Sequence, residues 1–260
     1  MSKRIFISIY MIAGFLIATY GQDILQYLEI LPDPIRGIGP NLLSYGIWYL
    51  LIPGIFTGFM YRWGGILQEW GLQASVLRAL AIALICVSPM IIGGAVLSRM
   101  SLEWSWISFL FGSLLAGFCE EVLYRGFLFG QLFRRAKWAF LPAALVSALI
   151  FGSMHLYQGD TWQEALGVFG VTLAGGLWFS WLYVRWNYNL WVPIFLHILM
   201  NLSWSVFNLG ENAMGTMWPN LLRVGTIAIS VYLTLRFTDK LSDLRDAEEI
   251  GSPKTNPAIS

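Results

Sequence analysis

Apolar runs long enough to cross a bilayer recur along this chain, at approximately 5–22, 42–61, 77–98, 106–132, 139–156, 165–184, 189–208 and 219–237. Each meets the roughly 17–25 residues that a helix needs to traverse the hydrocarbon layer. In that solvent every backbone polar group must be satisfied internally, which leaves helices and closed barrels. Single runs of this length specify helices. Composition agrees: 57% of the 260 residues are hydrophobic and 12% are charged, with a mean hydropathy of +0.63, against about 25% charged in a soluble domain. The expected fold is all-α, a polytopic integral membrane bundle of about eight transmembrane helices forming one domain over 1–237. Residues 238–260 are polar, contain Pro253 and Pro257, and are expected to be a disordered cytoplasmic tail. The "KR" before the first run could open a signal peptide, but "IATYGQDILQ" offers no small-x-small cleavage site, so the run is read as a span.

Charge sets the orientation. With the N-terminus cytoplasmic, one side holds twelve cations, among them Lys3, Arg62, Arg78, Arg134, Arg135, Lys137 and Arg185, and the other holds only three, Arg36, Arg99 and Arg223. Cytoplasmic loops are the ones enriched in Lys and Arg, so both termini are expected in the cytoplasm, and an odd span count would spoil the division. The sixteen Lys and Arg are matched by fifteen Asp and Glu, which leaves no basic excess for a nucleic-acid partner. Cys86 and Cys119 lie in apolar runs and form neither a disulfide framework nor a metal knuckle. Thirteen Trp and eleven Tyr suit membrane interfaces.

Against this background "FCEEVLYRGFLFG", residues 118–130, is costly. An ionisable group at the centre of a spanning helix is penalised by roughly 2.5–3.5 kcal/mol on insertion scales. Glu121 and Arg125 are four apart and share a helix face, so they form a candidate internal ion pair. Glu120 points about 100° away and is left as the unpaired acid, suited to general acid–base work. Both histidines of the chain, His155 and His197, fall inside expected spans. Phe151 precedes His155 by one turn, and Asn201 follows His197 by one turn. An acid, two imidazoles and a carboxamide thus come from three helices and could converge in one cavity.

The three motifs, "EEVLYR", "FGSMH" and "HILMN", fit Glu-Glu-x-x-x-Arg, Phe-x-x-x-His and His-x-x-x-Asn in order. Over about 106–208 the chain resembles the CAAX protease and bacteriocin-processing family of glutamate-type intramembrane endopeptidases, which includes the eukaryotic protease that trims prenylated CAAX proteins. The resemblance implies that Glu120 activates a water for attack on the scissile carbonyl and that His155 holds or polarises this water. His197 and Asn201 would donate to the oxyanion, with Glu121 and Arg125 in support. Which glutamate is the base stays open. No cofactor and no metal are implied. The expected partners are a membrane-associated peptide or protein substrate and the lipid bilayer, and the expected location is a bacterial inner membrane.

Other readings exist for each feature. The Glu121–Arg125 pair can be purely structural, and the histidines and Asn201 can be polar glue between helices. A thiol nucleophile at Cys119 is disfavoured because buried thiols are usually inert. A zinc protease could use two histidines and a glutamate, yet no His-Glu-x-x-His occurs. Acid and histidine chains also mark proton-coupled transporters, although no paired halves are visible here. A non-catalytic membrane scaffold is the remaining alternative.

Overall fold

In a computed structural model, residues 2–31, 37–98 and 102–251 are described, with side chains as far as Thr238. Arg36, Arg99, Lys254, Pro253 and Pro257 lie outside the described residues. Among these residues every regular element is helical. Helix α1 is Lys3–Tyr27, α2 is Ile38–Tyr61 and α3 is the short Ile66–Trp70. Helix α4 is Val76–Leu97; α5 is built from Ser108–Glu120, Val122–Phe129 and Gln131–Arg135. Then follow α6 Phe140–Ser153, α7 Trp162–Arg185, α8 Trp191–Val206 and α9 Met217–Gly251.

The protein is a polytopic helical membrane bundle. Six helical segments are long and apolar enough to cross a bilayer. The remaining two expected spans are α8, which is shorter, and α5, which carries Glu120, Glu121 and Arg125. Helix α6 ends at Ser153, and His155 sits in the turn beyond it, within an apolar helical segment that runs on to Gln158. Helix α9 continues past the expected limit at 237 to Gly251, through a stretch rich in the helix formers Leu, Arg, Ala and Glu.

Helix α5 is the axis of the bundle. Every residue from Glu121 to Leu132 is buried, because this half of α5 is enclosed by α1, α2, α3, α6 and α7. Its apolar side chains form one core with Met11, Phe15 and Ala144. A second core joins α4, α7 and α8 through Ala83, Val87, Leu182 and Leu196. Helix α5 is wound wider than an α-helix, with i→i+5 backbone bonds such as Gly130 N–H to the Arg125 carbonyl and Ala136 N–H to that of Gln131. Such widening is frequent at functional sites. Sequence periodicity does not foresee it, because apolar residues on all faces leave no stripe whose period could be read.

The end of the bundle carrying the basic loops is tied shut. Arg134 donates to the Glu69 carbonyl at 2.7 Å and to the Tyr183 hydroxyl at 3.3 Å, and that hydroxyl donates to the Trp70 carbonyl at 3.2 Å. Arg135 pairs with the Glu69 carboxylate through Nε at 2.8 Å and through Nη2. Gly71 then reverses the chain at φ +81°, a left-handed angle that favours glycine. Its carbonyl accepts from Leu190 N–H at 3.2 Å, and a Cβ there would collide with the Tyr188 carbonyl.

Candidate active site

Helices α5 and α8 approach closely at Gly117. A Cβ at that position would meet the backbone nitrogen of Ile198 at 2.8 Å, so only a missing side chain lets the two backbones lie this close. The residue before Ile198 is His197, and the contact brings its ring against the two glutamates that follow Gly117 by one turn.

There the polar groups form a chain. Arg125 Nη1 lies 3.0 Å from Glu121 Oε1, with both side chains fully buried. The same Glu121 oxygen lies 2.8 Å from His197 Nδ1. The other ring nitrogen of His197, Nε2, lies 3.9 Å from Glu120 Oε2. Glu120 is the more open acid, with 16% of its side chain exposed against none for Glu121. The sequence reading paired Glu121 with Arg125, and the structure adds His197 as a third member. Spacing along one helix could find the first pair but not a partner on another helix.

The tautomer follows from the partners. A carboxylate only accepts, so Nδ1 of His197 carries the proton donated to Glu121; in a neutral ring Nε2 would then be an acceptor facing Glu120. His155 is held alike: its Nδ1 lies 2.8 Å from the Phe151 carbonyl, which also only accepts, so Nδ1 carries the proton there.

Aromatic rings frame these groups. The Arg125 guanidinium sits 4.5 Å from the Phe151 ring centre and 5.6 Å from that of Phe179, within the range of favourable cation–π contact. Phe151 in turn lies tilted against His155 at 4.5 Å and stands edge-on at 6.4 Å to His197. Both histidines therefore flank one ring. Asn201, one turn beyond His197 on α8, donates from Nδ2 to the Gly112 carbonyl at 2.9 Å. It clasps the opposite half of α5 instead of touching Glu120. Cys119 is fully buried. Among the described residues no three His, Cys, Asp or Glu side chains are grouped as a metal site.

Two residues without a motif pack against the same helix. Tyr45 and Tyr49 of α2 lie ring to ring at 5.1 Å, and Tyr45 stands 6.3 Å from Phe111 of α5. Their spacing of four was the available signal, but it is common in any interface helix.

Comparison with known proteins bears on this segment. Residues 102–203 match the family model described as Type II CAAX prenyl endopeptidase Rce1-like. The chain is 35% identical over 89 residues to the candidate membrane peptidase YdiL of Bacillus subtilis, covering 34% of this chain and 32% of that protein. It is 35% identical over 107 residues to the membrane-embedded CAAX protease MroQ of Staphylococcus aureus, covering 40% of each. The matches thus span about a third and two fifths of the length of these relatives. No solved structure matches significantly. The residues of all three sequence motifs, from Glu120 to Asn201, fall within the matched segment, and it is over this core that the chain is similar to the Rce1-like CAAX prenyl endopeptidases.

Proposed function

We propose that the chain is an intramembrane endopeptidase that hydrolyses a peptide bond in a membrane-associated peptide or protein, using a water activated by Glu120 and no metal. The observation that carries this reading is the 3.9 Å gap between Glu120 Oε2 and His197 Nε2. With the His197 ring neutral and its proton on Nδ1, both atoms are acceptors. They are too far apart for a direct hydrogen bond, and a proton donor between them relieves their repulsion. A water suits the gap: it donates one hydrogen to each acceptor and keeps a lone pair for the substrate.

Chemistry then follows in two steps. As the water oxygen bonds to the scissile carbonyl carbon, Glu120 takes its proton and the carbonyl oxygen becomes an oxyanion. Glu120 next returns that proton to the amide nitrogen, the C–N bond breaks, and an acid and an amine leave. Arg125 and Glu121 hold the His197 ring, as the orienting carboxylate does in a catalytic triad. In this scheme His197 holds the water, a role that the family resemblance gives to His155. Asn201 retains a second amide hydrogen and is the candidate oxyanion donor, and His155 is assigned to substrate or water on the far side of Phe151. The bacterial relatives support a bacterial inner membrane as the location.

The test is cleavage of an internally quenched, lipid-anchored peptide library by the full chain in proteoliposomes. Wild type is expected to release fluorescence, and Glu120→Gln at the same protein level is expected to release none. Equal rates for the two would overturn the assignment.

A further inference from the structure

The motif residues account for only one edge of Arg125. Its Nη1 lies 3.0 Å from Glu121 Oε1. Nε and Nη2 are buried and find no hydrogen-bond acceptor among the described residues. A guanidinium held through one nitrogen can pivot about it, and its charge cannot be shed by deprotonation. Glu121 Oε1 is shared with His197 Nδ1 at 2.8 Å, so a swing of Arg125 would pass to the imidazole. Some other group has to fix the far edge of the cation.

Helix α7 supplies it. Thr172, Gly176, Phe179 and Tyr183 recur at three or four residues and are all buried, which makes them part of the face that α7 turns to the core. Gly176 allows the close approach: a Cβ there would meet the Ala148 Cβ at 2.8 Å and Arg125 Nη2 at 3.3 Å. Three residues on, the Phe179 ring centre stands 5.6 Å from the guanidinium carbon of Arg125 and 5.7 Å from the His197 ring centre. Phe179 thus borders both groups that Glu121 links. Phe151 does the same at 4.5 Å and 6.4 Å, but it belongs to the Phe-x-x-x-His motif, whereas Phe179 belongs to none.

The Phe179 ring has its own anchor. Trp178 packs against it at 4.7 Å, and Trp178 Nε1 donates to Ser230 Oγ of α9 at 3.2 Å. Ser230 lies beyond the segment 102–203 that the family model matches. We infer that Phe179 is a positioning residue: its π face holds the edge of Arg125 that Glu121 leaves free, within cation–π range, and so keeps the His197 ring aimed at Glu120. The effect on rate rests on the endopeptidase reading; the effect on the ring does not.

Fluorination separates the charge of the Phe179 ring from its bulk. Each fluorine draws electron density from the π face, so mono-, di- and trifluorophenylalanine at position 179 weaken the attraction stepwise at nearly constant volume. Two quantities are measured on the full chain. The first is the Nδ1–H resonance of His197 in detergent-solubilised protein carrying isotope-labelled histidine, assigned as the ring signal that survives His155→Gln. It is expected to be sharp with phenylalanine, to broaden with each added fluorine and to vanish in Phe179→Leu. The second is turnover of the quenched, lipid-anchored peptides in proteoliposomes. There kcat is expected to fall roughly tenfold from phenylalanine to the trifluoro ring, with KM unchanged. Either a resonance that stays sharp or a kcat that stays constant across the fluorinated series overturns the proposal, even if Phe179→Leu is inactive, because the ring would then act by bulk alone. If the unmodified chain cleaves nothing, the enzymatic reading fails, and the resonance still decides whether Phe179 holds His197.

Discussion

Nδ1 of His197 lies 2.8 Å from Oε1 of Glu121, the same oxygen that holds Arg125 at 3.0 Å. One buried carboxylate thus anchors a cation on its own helix and an imidazole on another. Its loss should act on His197 before it acts on substrate. Glu121→Gln is expected to lower kcat by up to about 10⁴-fold, the scale seen when a triad's orienting carboxylate becomes an amide, with KM little changed. Steady-state kinetics on the quenched peptides decide this; a pure KM effect would show that Glu121 contacts substrate instead.

Glu120 and the histidines are expected to divide by severity. Glu120→Ala and His197→Ala should each remove at least the 10²–10⁴-fold typical of acid–base groups, and His155→Ala should also abolish detectable cleavage. Asn201→Ala should be impaired but measurable, since an oxyanion donor contributes about 2.7–4 kcal/mol. Circular dichroism and membrane fractionation should match wild type. Wild-type cleavage by Glu120→Ala would remove the acid from the mechanism.

Arg125 is fully buried, and truncating one partner of a buried ion pair costs about 3–5 kcal/mol. Arg125→Met should therefore lower Tm in detergent sharply. The double variant Arg125→Met, Glu121→Leu should recover much of that stability, because no lone charge remains. It should not recover cleavage, because His197 is then unanchored. Joint recovery of stability and rate would make the pair a structural element only.

Gly117→Ala puts a methyl group where the Ile198 backbone already lies. Overpacking of this kind costs about 1–3 kcal/mol. The added effect should be on chemistry: α8 moves away from α5, the His197–Glu121 bond lengthens, and kcat falls more than Tm would suggest. Tm and rate measured together test this, and an unchanged rate would mean that the helices slide without disturbing the ring.

Cleavage is expected to survive prolonged dialysis against a tight chelator. Loss of activity that returns on adding zinc, but not magnesium, would replace the proposed water-holding geometry with a metal centre built on the histidine Nε2 atoms.

The sequence made some of this legible for physical reasons. Span positions follow from hydrocarbon thickness, so α1, α2, α4 and α7 appear nearly where the apolar runs place them. Glu121 with Arg125 was readable because one helix sets both positions. The clasp of His197 to Glu121 was not, because it depends on how closely α5 and α8 approach, and Gly117 carries no mark distinguishing it from the chain's other glycines. Tyr45 and Tyr49 were hidden for the same reason. His155 falls inside the expected apolar span, but an apolar run does not report that the regular helix unwinds at Ser153 before reaching it.

Helices α1 and α2 lie outside the segment that matches the Rce1-like family model, yet Phe15 of α1 packs edge-on against Tyr124 at 5.4 Å and Tyr45 of α2 stands 6.3 Å from Phe111 of α5. Trimming the protein to its recognisable middle would not yield a smaller working hydrolase. It would strip half the casing from an acidic centre and leave that centre facing oil.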